Sequence, residues 1–202
     1  DASSSLCTQA QTGSAVVTVN PLPSATVSGT TAVCRDAASP YVTFTGSGGT
    51  APYTFTYTVN GGSNQTVTTT AGNSVPVEVP TGTAGTFTYA LVSVKDASVT
   101  TCQQSVTGSA VVTVNPLPSA AISGTTAVCR NAPSPNITFT GSGGTAPYTF
   151  TYTINGGSNL TATTITGSSV NVAVNTATPG TFTYALVSVR DGSSTTCSNT
   201  AT

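Results

Sequence analysis

The residues of this chain best suited to covalent chemistry are five cysteines, Cys7, Cys34, Cys102, Cys129 and Cys197. Cys34 and Cys102 stand 68 residues apart, and so do Cys129 and Cys197. A structural zinc site takes four sulfur or nitrogen ligands. With no histidine and no Cys-x-x-Cys in the chain, no metal is expected. Regularly placed thiols of this kind read as structural disulfides of an oxidising compartment, which assigns Cys34, Cys102, Cys129 and Cys197 to bonds. Cys7 is expected to pair with a residue outside this stretch. The other reactive groups are sparse, with four Lys or Arg, five Asp or Glu and a net charge of −1. No pair of carboxylates recurs at a spacing suited to general acid–base work, so catalytic and cofactor-binding residues are read as none and the chain as no enzyme. Arg35 and Arg130, with Asp96 and Asp191, recur beside the cysteines and are expected to pair electrostatically. One aspartate per joint is too few ligands for calcium.

The elements that must carry these residues repeat. Residues 21–107 laid on 116–202 agree at 63 of 87 positions, an offset of 95 residues without a gap. Residues 1–20 then read as the C-terminal loop and last strand of a preceding repeat, 21–115 as a complete repeat, and 116–202 as a following repeat lacking its last strand. The chain thus reads as a segment of something longer. Units this long imply tandem domains, each folding around its own core. Within a repeat, Gly46 to Pro52 is a glycine-rich turn, followed by Tyr53, Phe55 and Tyr57 alternating with threonines. That pattern predicts a strand with its aromatic residues on one face, and it returns unchanged from Gly141 to Thr153. Further strands are predicted at Ala15–Val19, Ala25–Ser28, Tyr41–Thr45, Gln65–Thr70 as an edge, Val75–Val79, Thr86–Lys95 as the buried centre, and Ala110–Val114. Seven or eight short strands per repeat predict an all-β fold of tandem immunoglobulin-like Greek-key sandwiches, arranged end to end. Val27/Ile122, Val42/Ile137 and Val59/Ile154 exchange one β-branched apolar residue for another and are expected in the cores. Asp36/Asn131, Glu78/Ala173 and Gln103/Ser198 are expected in solvent. The Pro-Leu-Pro joints at Pro21 and Pro116 make a semi-rigid rod.

Two pairings of the cysteines are open at this point. Bonds within a repeat, Cys34–Cys102 and Cys129–Cys197, would each close a loop worth about 4 kcal/mol on the chain-entropy model. In ordinary immunoglobulin order, however, those positions fall at opposite ends of a sandwich, beyond the roughly 6 Å a disulfide spans between Cα atoms. A bond from Cys34 to Cys197 of the next repeat would clamp the junction instead.

The Val-x-Val-Asn-Pro-Leu-Pro run, the Thr-Phe-Thr-Gly-Ser-Gly-Gly-Thr-Ala-Pro-Tyr-Thr-Phe stretch and the Asp-x-Ser-x-Thr loop ahead of the second cysteine are similar to the Ig-like or PKD-like tandem repeats of giant Bacteroidetes cell-surface adhesins, including those of gliding motility. The resemblance covers the whole chain and implies export, by the type IX route, to the cell surface. It implies a structural segment of an adhesin stalk or surface fibre, acting as spacer and load-bearing element, and brings no catalytic residues with it. Compared with antibody domains, Phe87 stands where the corner tyrosine does and Tyr89 where the core cysteine does. Alternative readings are a self-assembling filament subunit and a carbohydrate-binding accessory module of a secreted enzyme, the latter disfavoured by the absence of Trp. Expected partners are neighbouring repeats, with other copies in a fibre or surface glycans as further candidates. The low positive charge argues against nucleic acid, and no apolar run approaches the roughly 20 residues of a membrane-spanning helix. Asn64, Asn136 and Asn159 fit the glycosylation pattern. The threonine row Thr66, Thr68, Thr70 reads as the wet face of a strand.

Overall fold

The computed structural model describes Ser4 and residues 8–201; Cys7 lies outside the described residues. The chain forms sixteen strands and no helix among those residues. The first sandwich holds β1 (Ser24–Ser28), β2 (Thr31–Cys34), β3 (Tyr41–Ser47), β4 (Thr54–Val59), β5 (Gln65–Thr68), β6 (Ser74–Glu78), β7 (Gly85–Lys95), β8 (Gln103–Ser105) and β9 (Ser109–Asn115). One sheet runs β1-β3-β6. The other runs β2-β9-β7-β4-β5, with β8 beside the far end of β7. The second sandwich holds β10 (Ser119–Ser123), β11 (Asn136–Ser142), β12 (Thr149–Ile154), β13 (Leu160–Thr163), β14 (Ser169–Ala173), β15 (Tyr184–Arg190) and β16 (Ser198–Thr200). Its sheets run β10-β11-β14 and β13-β12-β15-β16. These are immunoglobulin-like sandwiches in tandem.

Period-two alternation decides which side chains face inward. Tyr53, Phe55 and Tyr57 are all buried, and Phe44 from the opposite sheet meets Phe55 and Tyr57 at ring-centroid distances of 5.8 and 4.8 Å. Tyr89 stacks on Tyr57 of the adjacent strand at 6.0 Å, and Phe44 meets that pair from the other sheet, so aromatic packing joins the two sheets. The second sandwich repeats the pattern with Phe139, Phe150, Tyr152 and Tyr184. The glycine-rich turn serves this packing: a Cβ on Gly46 would stand 2.5 Å from the Tyr53 ring, so only glycine lets the ring lie flat on the backbone. Tyr53 then donates its hydroxyl hydrogen to the Gly49 carbonyl at 2.8 Å, and its amide donates to the buried Thr69 hydroxyl at 3.0 Å. A buried tyrosine keeps its polar end satisfied in this way.

β5 is an edge strand and β7 lies between β9 and β4, as the composition of each predicts. Two expectations fail, and the two sandwiches differ in one strand. Ala15–Val19 forms no strand, since no partner stands beside it among the described residues. Ile122 is not core; it is exposed, although its counterpart Val27 packs against the first core. The central strand is shorter in the second sandwich. Gly85–Thr88 are strand, whereas the identical Gly180–Thr183 are not, because β9 pairs with the former and, among the described residues, no strand pairs with the latter.

Candidate functional site at the joint between the sandwiches

The site that joins the two sandwiches begins with β2. This strand is held parallel to β9, with Cys34 opposite Asn115, and the Arg35 amide donates to the Asn115 carbonyl at 2.7 Å. Both the thiol and the chain that leads to the next repeat therefore emerge at the Gly85 end of β7. In the second sandwich, the loop Asp191 to Cys197 stands at the opposite, Arg190 end of β15. The two meet: Cys34 and Cys197 form a disulfide with a Cα separation of 5.6 Å.

The pairings Cys34–Cys102 and Cys129–Cys197 are corrected by this geometry. Cys34 lies at the Gly85 end of β7 and Cys102 just past its Lys95 end. Eleven residues of strand at about 3.3 Å each place them roughly 35 Å apart. Among the described residues Cys102 and Cys129 carry no disulfide.

The loop that presents Cys197 is organised by a buried carboxylate. Asp191 accepts from the Thr145 amide at 3.1 Å, the Ser193 amide at 3.3 Å and the Ser193 hydroxyl at 2.7 Å. The Ser193 hydroxyl lies 3.2 Å from that of Thr195, which is 3.1 Å from the Cys197 sulfur and accepts from the Asn115 side chain at 2.9 Å. The Asp-x-Ser-x-Thr-Thr-Cys run is thus a line of hydrogen bonds from the interior of one sandwich to the last strand residue of the other. Asp96, Ser98, Thr100 and Cys102 repeat it in the first sandwich, and there the Asn20 side chain donates to Thr100 at 2.9 Å.

Burial alone would raise the Asp96 carboxyl, but the Ser98 hydroxyl and the amides of Thr50, Ser98 and Cys102 together outweigh it and hold it below the ordinary value of 3.8. A carboxyl depressed by folding contributes stability that is complete above the unfolded value and lost as pH falls through the folded one. The thermal midpoint of the first sandwich is expected to stay level from pH 7 to about pH 4, then to fall. Asp96→Asn should flatten that acid limb while lowering the midpoint at pH 7. An unchanged acid limb in the variant would show that another group is responsible.

The expected pairing of the repeated arginines and aspartates is also corrected. Arg35 pairs with its neighbour Asp36 at 3.2 Å in solvent, and the Arg130 Nε donates to the Ala177 carbonyl at 3.0 Å. Asp96 and Asp191 are satisfied by the serine two residues on in their own loops and by the amides of Thr50 and Thr145 from the glycine-rich turns, which leaves no place for an arginine. The repeated spacing of aspartate and cysteine is visible in the sequence, whereas the connection made by the serine and threonine between them shows only in the fold. Asn64, Asn136 and Asn159 are all exposed, as are Thr66, Thr68 and Thr70. Among the described residues no group of three or more His, Cys, Asp or Glu could hold a metal ion.

No protein-family model matches the chain, and no curated protein matches it. Solved structures do. One is from a 1.5-MDa bacterial ice-binding adhesin, studied for host cell surface retention, at 14% identity over 89% of this chain and 62% of that one, TM-score 0.47. A second is a Ca2+-stabilized adhesin that helps an Antarctic bacterium reach out and bind ice, at 20% identity, 90% and 47% coverage and TM-score 0.49. A third is a tetra-tandem repeat in the extending region of a large adhesion protein, at 20% identity, 90% and 47% coverage and TM-score 0.34. The chain spans less than two thirds of the length of each of these.

Proposed function

We propose that this chain is a load-bearing segment of an extracellular adhesin stalk or surface fibre, of the kind carried by the giant Bacteroidetes surface proteins its repeats resemble. It spaces an adhesive end away from the cell and transmits tension along its length. The observation that carries this reading is the Cys34–Cys197 bond across the joint. A disulfide persists in the oxidising exterior. Its position also matters mechanically, because tension arriving through β1 and β2 passes to the second sandwich through sulfur and leaves the intervening residues unloaded. The Asn115 and Thr195 contact beside it fixes the angle at which the joint is held.

Pulling single molecules between attachment points near Thr8 and Ala201 tests this. With the bond closed, the 163-residue separation between the cysteines stays out of the extension curve. Adding reductant should release roughly 530 to 580 Å of additional contour, at about 3.3 to 3.6 Å per residue. Equal extension in both conditions would overturn the load-bearing role.

A further inference from the structure

The strands β4 and β12 each run into an Asn-Gly-Gly turn, Asn60-Gly61-Gly62 in the first sandwich and Asn155-Gly156-Gly157 in the second. Both central residues hold positive φ, 52° and 70° in the first turn and 51° and 69° in the second. The Gly62 amide donates to the Val59 carbonyl at 3.0 Å, and the Gly157 amide to the Ile154 carbonyl at 3.0 Å. That is a type I′ turn, for which Asn-Gly is the favoured pair. The same pair carries a chemical liability. Glycine has no side chain to screen its nitrogen, so an asparagine directly ahead of it loses ammonia by ring closure with unusual ease.

In the fold this asparagine is tied to the neighbouring strand. The Asn60 Nδ2 donates to the Thr86 carbonyl at 3.1 Å and its Oδ1 accepts from the Thr88 amide at 2.7 Å, while the Asn60 amide donates to the Thr88 carbonyl at 2.9 Å. The pairing of β4 with β7 ends at Val59 and Tyr89, and the side-chain amide carries it one step further in the place of a peptide group. Asn155 repeats the arrangement, donating to the Thr181 carbonyl at 3.3 Å and accepting from the Thr183 amide at 2.8 Å. Ring closure requires Cγ to swing onto the nitrogen of the following glycine, which breaks both side-chain bonds at once. Burial offers no protection, since Asn60, Gly61, Asn155 and Gly156 are all exposed and water reaches them. The two bonds to the adjacent strand are what hold the reaction off.

We propose that Asn60 and Asn155 are deamidation sites gated by the fold, closed while each strand lies on its neighbour and open once β4 leaves β7 or β12 leaves β15. In the released chain the Gly61 nitrogen bonds to Asn60 Cγ and gives up its proton, the Cγ–Nδ2 bond breaks, and ammonia departs with that proton. A five-membered imide remains. Water then opens it, giving aspartate when it adds at Cγ and isoaspartate when it adds at the main-chain carbonyl, and no oxidant or reductant takes part. Neither product restores the contact. An aspartate still accepts from the Thr88 amide, but it sets an oxygen against the Thr86 carbonyl where a donor stood, and an acceptor facing an acceptor is a loss. An isoaspartate lengthens the main chain inside a tight turn. Time spent released is therefore written into the chain, and it weakens the sandwich that was opened. The inference needs only that the strands part, by whatever cause, and does not rest on the load-bearing reading.

The test incubates the full oxidised chain at mildly alkaline pH in native buffer and in urea, each beside a synthetic peptide of residues 58–64 in the same solvent. Digestion and mass spectrometry then follow conversion at Asn60 and Asn155. In native buffer both sites should convert at least ~10-fold more slowly than the peptide, because reaction waits on local opening of the strand. In urea the protein and the peptide should convert at the same rate. Chains converted in urea and returned to buffer should unfold at a lower urea concentration than unconverted controls. Asn60→Asp, made directly, should shift the transition of the first sandwich in the same direction and leave that of the second in place. A native rate equal to the peptide's would overturn the proposal, since the bonds to Thr86 and Thr88 would then gate nothing. So would a urea rate that stays below the peptide's, or an unfolding midpoint that is unchanged in both the converted chain and Asn60→Asp.

Discussion

Reduced, or carrying Cys34→Ser, the protein should lose about 5 kcal/mol of its resistance to complete unfolding relative to the oxidised chain. The bond closes a loop of 163 residues, and on the chain-entropy model a loop of that length removes about that much freedom from the unfolded ensemble. The loss falls on the last step, when both sandwiches are open, because the bond constrains residues from both. Each sandwich keeps its own core on reduction, so the first unfolding step should move less than the second. Cys34 is only half-buried, and serine there leaves no large cavity. Cys102→Ser is the decisive control. That thiol has no partner among the described residues, so the substitution should leave the denaturant profile unchanged. A loss of similar size from Cys102→Ser would mean that the bond forms within the repeat.

Phe44→Ala is expected to cost the first sandwich about 3 to 5 kcal/mol, and Phe139→Ala a similar amount in the second. Each phenylalanine is fully buried and touches two aromatic rings, with centroids at 5.8 and 4.8 Å in the first sandwich and 5.7 and 4.8 Å in the second. Removing the ring leaves a void walled by rigid aromatic residues that cannot collapse into it. Against a domain stability of about 5 to 15 kcal/mol, the loss is a large share. Urea unfolding followed by tyrosine fluorescence should show one transition displaced and the other in place, with the displaced one switching between the two variants. Joint displacement of both transitions by either variant would show that the sandwiches unfold as one unit. The second sandwich, with Leu186 and Tyr184 only half covered, has less stability to lose. Phe139→Ala should bring it closer to complete unfolding at room temperature.

The cores were legible in the sequence because burial there follows a period of two. Tyr53, Phe55 and Tyr57 alternate with threonine, and no distant partner is needed to say which face turns inward. What could not be read locally depends on partners distant in the chain. Gly85–Thr88 and Gly180–Thr183 have identical residues, yet only the former are strand, since β9 supplies hydrogen bonds in one place and not in the other. The parallel pairing of β2 with β9 follows no hairpin and leaves no mark in the composition of either. That pairing nevertheless decides where Cys34 emerges, and so which cysteine it meets. The sequence could state the choice between Cys34–Cys102 and Cys34–Cys197 but could not make it. The buried aspartates were misassigned for a related reason. A carboxylate satisfied by nearby amides and hydroxyls looks, in a bare sequence, like one waiting for an arginine.

The bond across the joint has a consequence for damage. A peptide bond cut anywhere from Arg35 to Thr196 lies inside the covalent loop closed by Cys34 and Cys197. That loop contains exposed turns such as those around Val99 and Ile165, the places a protease would reach first. Both fragments would stay tied through sulfur, and the sheet pairing on either side of the cut would keep its register. In surroundings where backbone cleavage cannot be repaired, a nick in this stretch costs the molecule some stiffness and leaves its continuity intact.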